Sequence, residues 1–126
     1  MKLALIVFIG AGIGGVMRHF MNIGITALAG SSFPYGILAI NVVGSTIMGF
    51  VAGWFAFRGE LLPELRLFLA TGILGGFTTF SAFSLDTALL MERGEMLSAA
   101  AYVVGSVVLS VLGLFLGLWA MRAALG

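Results

Sequence analysis

The chain has no cysteine among its 126 residues, which excludes disulfides, thiolate nucleophiles and Cys-ligated metals. It has a single histidine, His19, and no carboxylate stands near it in sequence. A Ser–His–Asp set and His-spaced metal ligation therefore have no footing. Charge is scarce: Asp, Glu, Lys and Arg make up 9% of the chain, where ~25% is usual. The net charge of +1 leaves no electrostatic footprint for nucleic acid. Proline is limited to Pro34 and Pro63. What fills the chain is apolar: 61% hydrophobic residues and a mean hydropathy of +1.20. A soluble domain of this size cannot hide so much apolar surface. Glycine is abundant, at 19 residues, as in closely packed membrane helices.

The few charges punctuate the sequence. Fifteen uncharged residues separate Lys2 from Arg18, 19 lie at 67–85 and 26 at 96–121. Between His19 and Phe57 there is no Asp, Glu, Lys or Arg. That stretch is too long for one span and contains the breaker cluster Gly30-Ser31-Ser32-Phe33-Pro34. An all-α membrane protein with four spans follows, at about 3–24, 36–57, 66–90 and 96–121, forming a single membrane domain over 1–126. Arg18, His19 and Asn22 interrupt the first apolar run, so it is expected to remain as a span rather than be cleaved as a signal peptide. The side carrying both termini has Lys2, Arg58, Arg66 and Arg122; the other has Arg93, plus Arg18 if it reaches that surface. This positive-inside bias is modest and leaves insertion in both orientations open.

Four helices make a bundle whose interior is filled by side chains, so a pore or carrier forms most easily between two copies. Gly10 and Gly14, Gly49 and Gly53, and Gly113 and Gly117 are each four apart. That spacing permits close backbone approach, within one chain or between two.

The third span is the most informative. Residues 71–86 read TGILGGFTTFSAFSLD. Glycine and β-branched Thr invite a helix break, expected at Gly75-Gly76, near mid-membrane. Exposed backbone groups at such a break are tolerated only in protein or facing water or an ion. Phe77, Phe80 and Phe83 recur every three residues, as one slowly drifting stripe on a continuous helix. The stripe either packs or, with the interleaved Thr78, Thr79, Ser81 and Ser84 hydroxyls, offers weak positive potential to a small anion. Asn41, the only amide of the second span, either bonds another helix or lines a path, with Ser45 on the same face. Tyr102, Ser106 and Ser110 form a polar stripe on the fourth span; the serines either bond back to their own helix or form a track. Arg18 either snorkels or opens on a vestibule, with Asp86 as its expected opposite charge. His19 is interfacial or proton-linked.

These residues carry a resemblance. GGVMRH at 14–19, Asn41-Val42-Val43-Gly44 and GGFTTFSAFS at 75–84 resemble the small bacterial fluoride channels of the Fluc (CrcB) family over nearly the whole chain. The resemblance implies an antiparallel, dual-topology homodimer in the bacterial inner membrane. It implies passive, selective export of fluoride. It places Phe80 and Phe83 as pore phenylalanines and Asn41 as the pore asparagine, with Thr79 and Ser81 in the same segment. Tyr102, Ser106 and Ser110 match a polar track, and Arg18 a vestibule arginine. Gly75 and Thr78 match carbonyl ligands of a structural Na⁺ at the dimer interface. Ala82 stands where the family often has Thr, and Asp86 where Glu is frequent. Two other readings remain at this level. A proton-coupled exporter of small cations needs a membrane-embedded carboxylate, which the first span lacks. A non-transporting assembly protein needs no such group.

Overall fold

A computed structural model describes residues 1–58 and 63–126, apart from the side chain of residue 58. The expected second loop, around Arg58–Leu65 with Gly59, falls largely on 59–62 and so lies outside the described residues. The elements are α1 (Lys2–Ala29), α2 (Tyr35–Arg58), a composite α3, α4 (Phe80–Glu92) and α5 (Met96–Leu125). The composite α3 runs through Pro63–Arg66, a wider-wound Leu67–Leu74 and Gly75–Phe77. Together α3 and α4 make the third span, so four apolar helical segments are long enough to cross a membrane.

These helices are apolar on every face, as expected when lipid rather than water surrounds the bundle. The internal core is correspondingly small. Ile37, Ile40 and Phe77 form one buried cluster, and Leu90, Ala99 and Tyr102 another. Phe83 packs against both and joins them. Large side chains such as Phe8, Phe20, Leu97 and Trp119 point outward.

Two close crossings organise the bundle, α1 with α3 and α2 with α5. All three glycine pairs serve contacts inside this chain. A Cβ at Gly14 would strike the Ile73 carbonyl, and one at Gly10 would meet Gly72 Cα at 2.9 Å. Gly49 faces the Leu114 carbonyl and Gly117 faces that of Thr46. Small residues here allow the backbone-to-backbone packing that replaces a hydrophobic driving force in lipid.

Helix ends follow local rules. Gly94, with φ of 78°, ends α4: its N–H bonds the Met91 carbonyl while the Glu95 N–H bonds Leu90, a Schellman arrangement. Arg93 donates to the Ser32 carbonyl at 2.7 Å and pairs with Glu95, tying the two loops at that end. At the other end Lys2 pairs with Glu64 at 3.3 Å.

The break in the third span differs in position from the sequence expectation. Gly75 has helical angles, φ −63° and ψ −37°, and Gly75–Phe77 stays helical. The chain opens three residues later, where Thr78 and Thr79 are extended, with ψ of 156° and 123°. The reason is that Gly76 is used for close approach: a Cβ there would collide with the Ala11 backbone. The break also cuts the Phe stripe. Phe77, on the near side, turns into the core with Ile37 and Ile40, while Phe80 and Phe83 lie beyond it.

The crossing of α1 and α3 yields a prediction. Gly14→Ala should destabilise the protein by about 1–3 kcal/mol, the usual cost of overpacking. Gly24→Ala, where a Cβ meets nothing within 4 Å, should not. Thermal unfolding midpoints in detergent compare the two.

A donor-lined cavity at the helix break

Thr78 and Thr79 close the first half of the third span and start the second. The Thr78 N–H and Oγ1 both reach back to the Leu74 carbonyl, at 3.0 and 2.9 Å. Thr79 caps α4: its Oγ1 accepts the Ala82 N–H at 3.1 Å and lies 3.2 Å from Ser81 Oγ. Asn41, facing the break from α2, holds Thr79 by both ends of its amide. Its Nδ2 donates to the Thr79 carbonyl at 3.0 Å, and its Oδ1 accepts the Thr79 N–H at 2.8 Å. One of the two Nδ2 hydrogens is then left over. The two sequence alternatives for Asn41 thus coexist, because it bonds another helix and also lines a cavity.

In an unbroken helix the Gly75 carbonyl would accept the Thr79 N–H, and the Thr78 carbonyl the Ala82 N–H. Asn41 and the Thr79 hydroxyl take those donors instead. Two main-chain carbonyls at the bend thereby lose their helical partners. Gly44, one turn beyond Asn41, makes room for this arrangement, since a Cβ there would strike the Thr78 side chain. Sequence reasoning assigned Gly44 no role. The three-residue spacing from Asn41, which puts both on one helix face, was the available signal.

The cavity beside the break has a volume of about 350 Å³ and lies between α2, the break, α4 and α5. It brings together Asn41, Ser45, Thr78, Thr79, Phe80, Phe83, Ser106 and Ser110, and no charged residue lines it among the described residues. The Ser106 and Ser110 Oγ atoms are buried and have no hydrogen-bond partner. Back-bonding to the helix, the alternative for these serines, is the pattern of Thr46, Ser84 and Thr87. Such unpaired buried hydroxyls are uncommon and ask for a reason. The Phe80 and Phe83 rings lie 5.4 Å apart, tilted by 45°. Phe80 is 78% exposed, so this chain alone leaves that side of the cavity open.

Other expected site residues lie elsewhere. Ser81 and Arg18 line a second cavity of about 480 Å³, with His19 and Asn22, on the α1 side. Thr79 borders both cavities. Asn22, which counted in the sequence only as an interruption of the first apolar run, lines this cavity too. Tyr102 is fully buried and stacks behind Phe83, with ring centroids 5.2 Å apart. Its hydroxyl donates to Asp86 Oδ2 at 3.1 Å. This corrects the expected Arg18–Asp86 pairing: Asp86 bonds Tyr102 of α5, whereas Arg18 opens with Ser81 and Leu85 on the α1 side. Ala82 packs toward the Ile37–Ile40–Phe77 cluster, a place where a methyl suits better than a hydroxyl. No group of three His, Cys, Asp or Glu side chains suited to a metal occurs among the described residues.

Comparison with known proteins gives consistent results. Residues 5–118 match the family model described as "CrcB-like protein, Camphor Resistance (CrcB)". A relative from Nitrobacter hamburgensis, named Fluoride-specific ion channel FluC 2, is 56% identical over 118 residues, covering 94% of this chain and 95% of its own. Fluoride-specific ion channel FluC of Rhodopseudomonas palustris is 56% identical over 119 residues, 94% and 96% of the two chains. The protein of the same name from Novosphingobium aromaticivorans is 58% identical, covering 92% and 93%.

The unpartnered and the partnered polar side chains respond differently to removal. Ser106→Ala should leave the thermal unfolding midpoint unchanged or raise it, since no protein bond is lost. Asn41→Ala, which removes both bonds to Thr79, should cost about 1–3 kcal/mol. Scanning calorimetry or tryptophan fluorescence of the purified variants measures both.

Proposed function

The chain belongs to the CrcB family, and on that premise we propose that its donor-lined cavity is part of a fluoride path. It is a multi-pass protein of the bacterial cytoplasmic membrane and a fluoride-specific channel, not an enzyme. Passive export through it lowers internal fluoride. The observation that carries the reading is the cavity lining: buried, unpartnered Ser106 and Ser110 hydroxyls beside Asn41 and two phenyl rings, with no charged side chain.

The chemistry suits fluoride. The ion is small and strongly hydrated, so entry requires donors to replace its water. Ser106, Ser110 and the remaining Asn41 N–H supply neutral donors. Phe80 and Phe83 supply positive ring edges. Neutral donors attract an anion without the deep trap that a buried Lys or Arg would create, and conduction needs that balance. Thr79 and Ser81 continue the polar lining toward the second cavity, where Arg18 raises the local anion concentration. Tyr102 and Asp86 brace Phe83 from behind and lie at the end of the polar stripe. A proton-coupled cation exporter has less support, because the carboxylate nearest the cavity, Asp86, is turned to Tyr102.

The functional unit in this proposal is an antiparallel homodimer inserted in both orientations. What supports it is the exposed Phe80 on the open side of the cavity, which a second copy covers, and the weak charge bias across the membrane. A structural Na⁺ at the dimer centre fits the residues present. The Gly75 and Thr78 carbonyls, relieved of their helical donors, would hold it. Bound there, it would supply a positive charge that offsets the cost of bringing an anion into a low-dielectric bundle.

A fluoride electrode outside proteoliposomes should record fluoride efflux without chloride passage and without dependence on a proton gradient. Absence of fluoride flux from folded protein would sink the function. Phe80→Ile should slow efflux about tenfold or more, equivalent to ~1.4 kcal/mol on the barrier. Undiminished flux would remove Phe80 from the path. The cysteine-free background permits a topology test: Ser31→Cys should be labelled by impermeant maleimide in about half of the molecules from either face. Labelling from one face only would rule out dual insertion.

A further inference from the structure

We infer that Asn41 and Thr79 are positioning residues for the cation site at the helix break, in addition to bordering the anion cavity. The inference rests on the Na⁺ reading above. Its basis is the pair of captured donors. The Thr79 N–H, which would otherwise close on the Gly75 carbonyl, is held by Asn41 Oδ1 at 2.8 Å. The Ala82 N–H, which would otherwise close on the Thr78 carbonyl, is held by Thr79 Oγ1 at 3.1 Å. Two side chains thus free two carbonyls three residues apart in sequence, on either side of Gly76-Phe77.

The Asn41 amide is suited to this task because it both accepts and donates. Its Nδ2 bonds the Thr79 carbonyl at 3.0 Å, which keeps Thr79 extended. Thr79 is 8% exposed, so water has little access to substitute for either bond. With the amide removed, the low-dielectric surroundings drive the Thr79 N–H back toward the Gly75 carbonyl, the partner that continuous helix offers. A carbonyl engaged by an N–H is a poorer cation ligand. Asn41 also lines the cavity with the unpartnered serines. One amide therefore touches both ion environments, and linkage makes any coupling between them reciprocal.

The test is a thermal unfolding titration of the purified full chain with NaCl, with N-methylglucamine chloride holding ionic strength constant. The wild-type chain should show a saturable rise in midpoint with Na⁺. Asn41→Ala should raise the half-saturating Na⁺ concentration about tenfold, on the scale of one hydrogen bond gained by a competing donor. Asn41→Asp keeps an acceptor for the Thr79 N–H. It should hold the half-saturating concentration within about threefold of wild type, even though its charge blocks fluoride flux. Thr79→Val should behave as Asn41→Ala does, and Thr79→Ser should restore the wild-type titration. A general loss of stability would lower every midpoint without moving the Na⁺ concentration dependence. If Asn41→Ala does not fold, the Thr79→Val and Thr79→Ser pair makes the same comparison. Wild-type Na⁺ dependence in Asn41→Ala or Thr79→Val overturns the inference and leaves the cation reading standing. No saturable Na⁺ effect on the wild-type chain overturns both.

Discussion

A broken helix inside lipid must find partners for the backbone donors it releases, and here two side chains take the Thr79 and Ala82 N–H groups while the Gly75 and Thr78 carbonyls give up their helical donors. Each unpaired N–H or carbonyl in a hydrocarbon environment costs several kcal/mol. Asn41 takes both polar groups of Thr79, and the Thr79 hydroxyl takes the Ala82 N–H. The rest of the architecture serves this clamp. The crossing of α1 with α3 brings the first half of the span close through Gly10, Gly14, Gly72 and Gly76. On the other side Gly44 lets α2 approach the Thr78 side chain.

Beyond the break, the core and the cavity lining share the same residues. Phe83 joins the two core clusters and also lines the cavity, so its ring is held from behind by Tyr102 while its other side is available. Tyr102 is in turn oriented by Asp86. Phe80 has no such support and is largely exposed. One ring is held from behind, and the other is the part of the cavity wall that a second copy would cover in the proposed dimer.

The serines of α5 complete the contrast. The hydroxyls of Thr46, Thr78, Ser84 and Thr87 return to their own helix, which makes them electrically quiet. Ser106 and Ser110 do not, and the structure accepts two unpartnered buried oxygens beside the cavity. Retaining such atoms is a stability cost, and in the proposed path an anion or its water would complete the bonding.

Membrane residence, the number of spans and the oddity of residues 71–86 were legible in the sequence, because hydropathy and charge spacing act locally along the chain. The same local rules singled out Asn41, a stripe of three phenylalanines and the polar stripe of the fourth span, while the family resemblance narrowed the phenylalanines to Phe80 and Phe83. The local rules misplaced the break by three residues, put Phe77 on a stripe with Phe80 and Phe83, and paired Arg18 with Asp86. Each of these depended on a contact between distant segments. Gly76 stays helical because Ala11 lies against it, and the break falls at Thr79 because Asn41, 38 residues earlier, captures its N–H. Asp86 turns to Tyr102 because α5 packs on that face. Composition and periodicity determine what must be buried in lipid; only the packed helices decide which backbone donor meets which side chain.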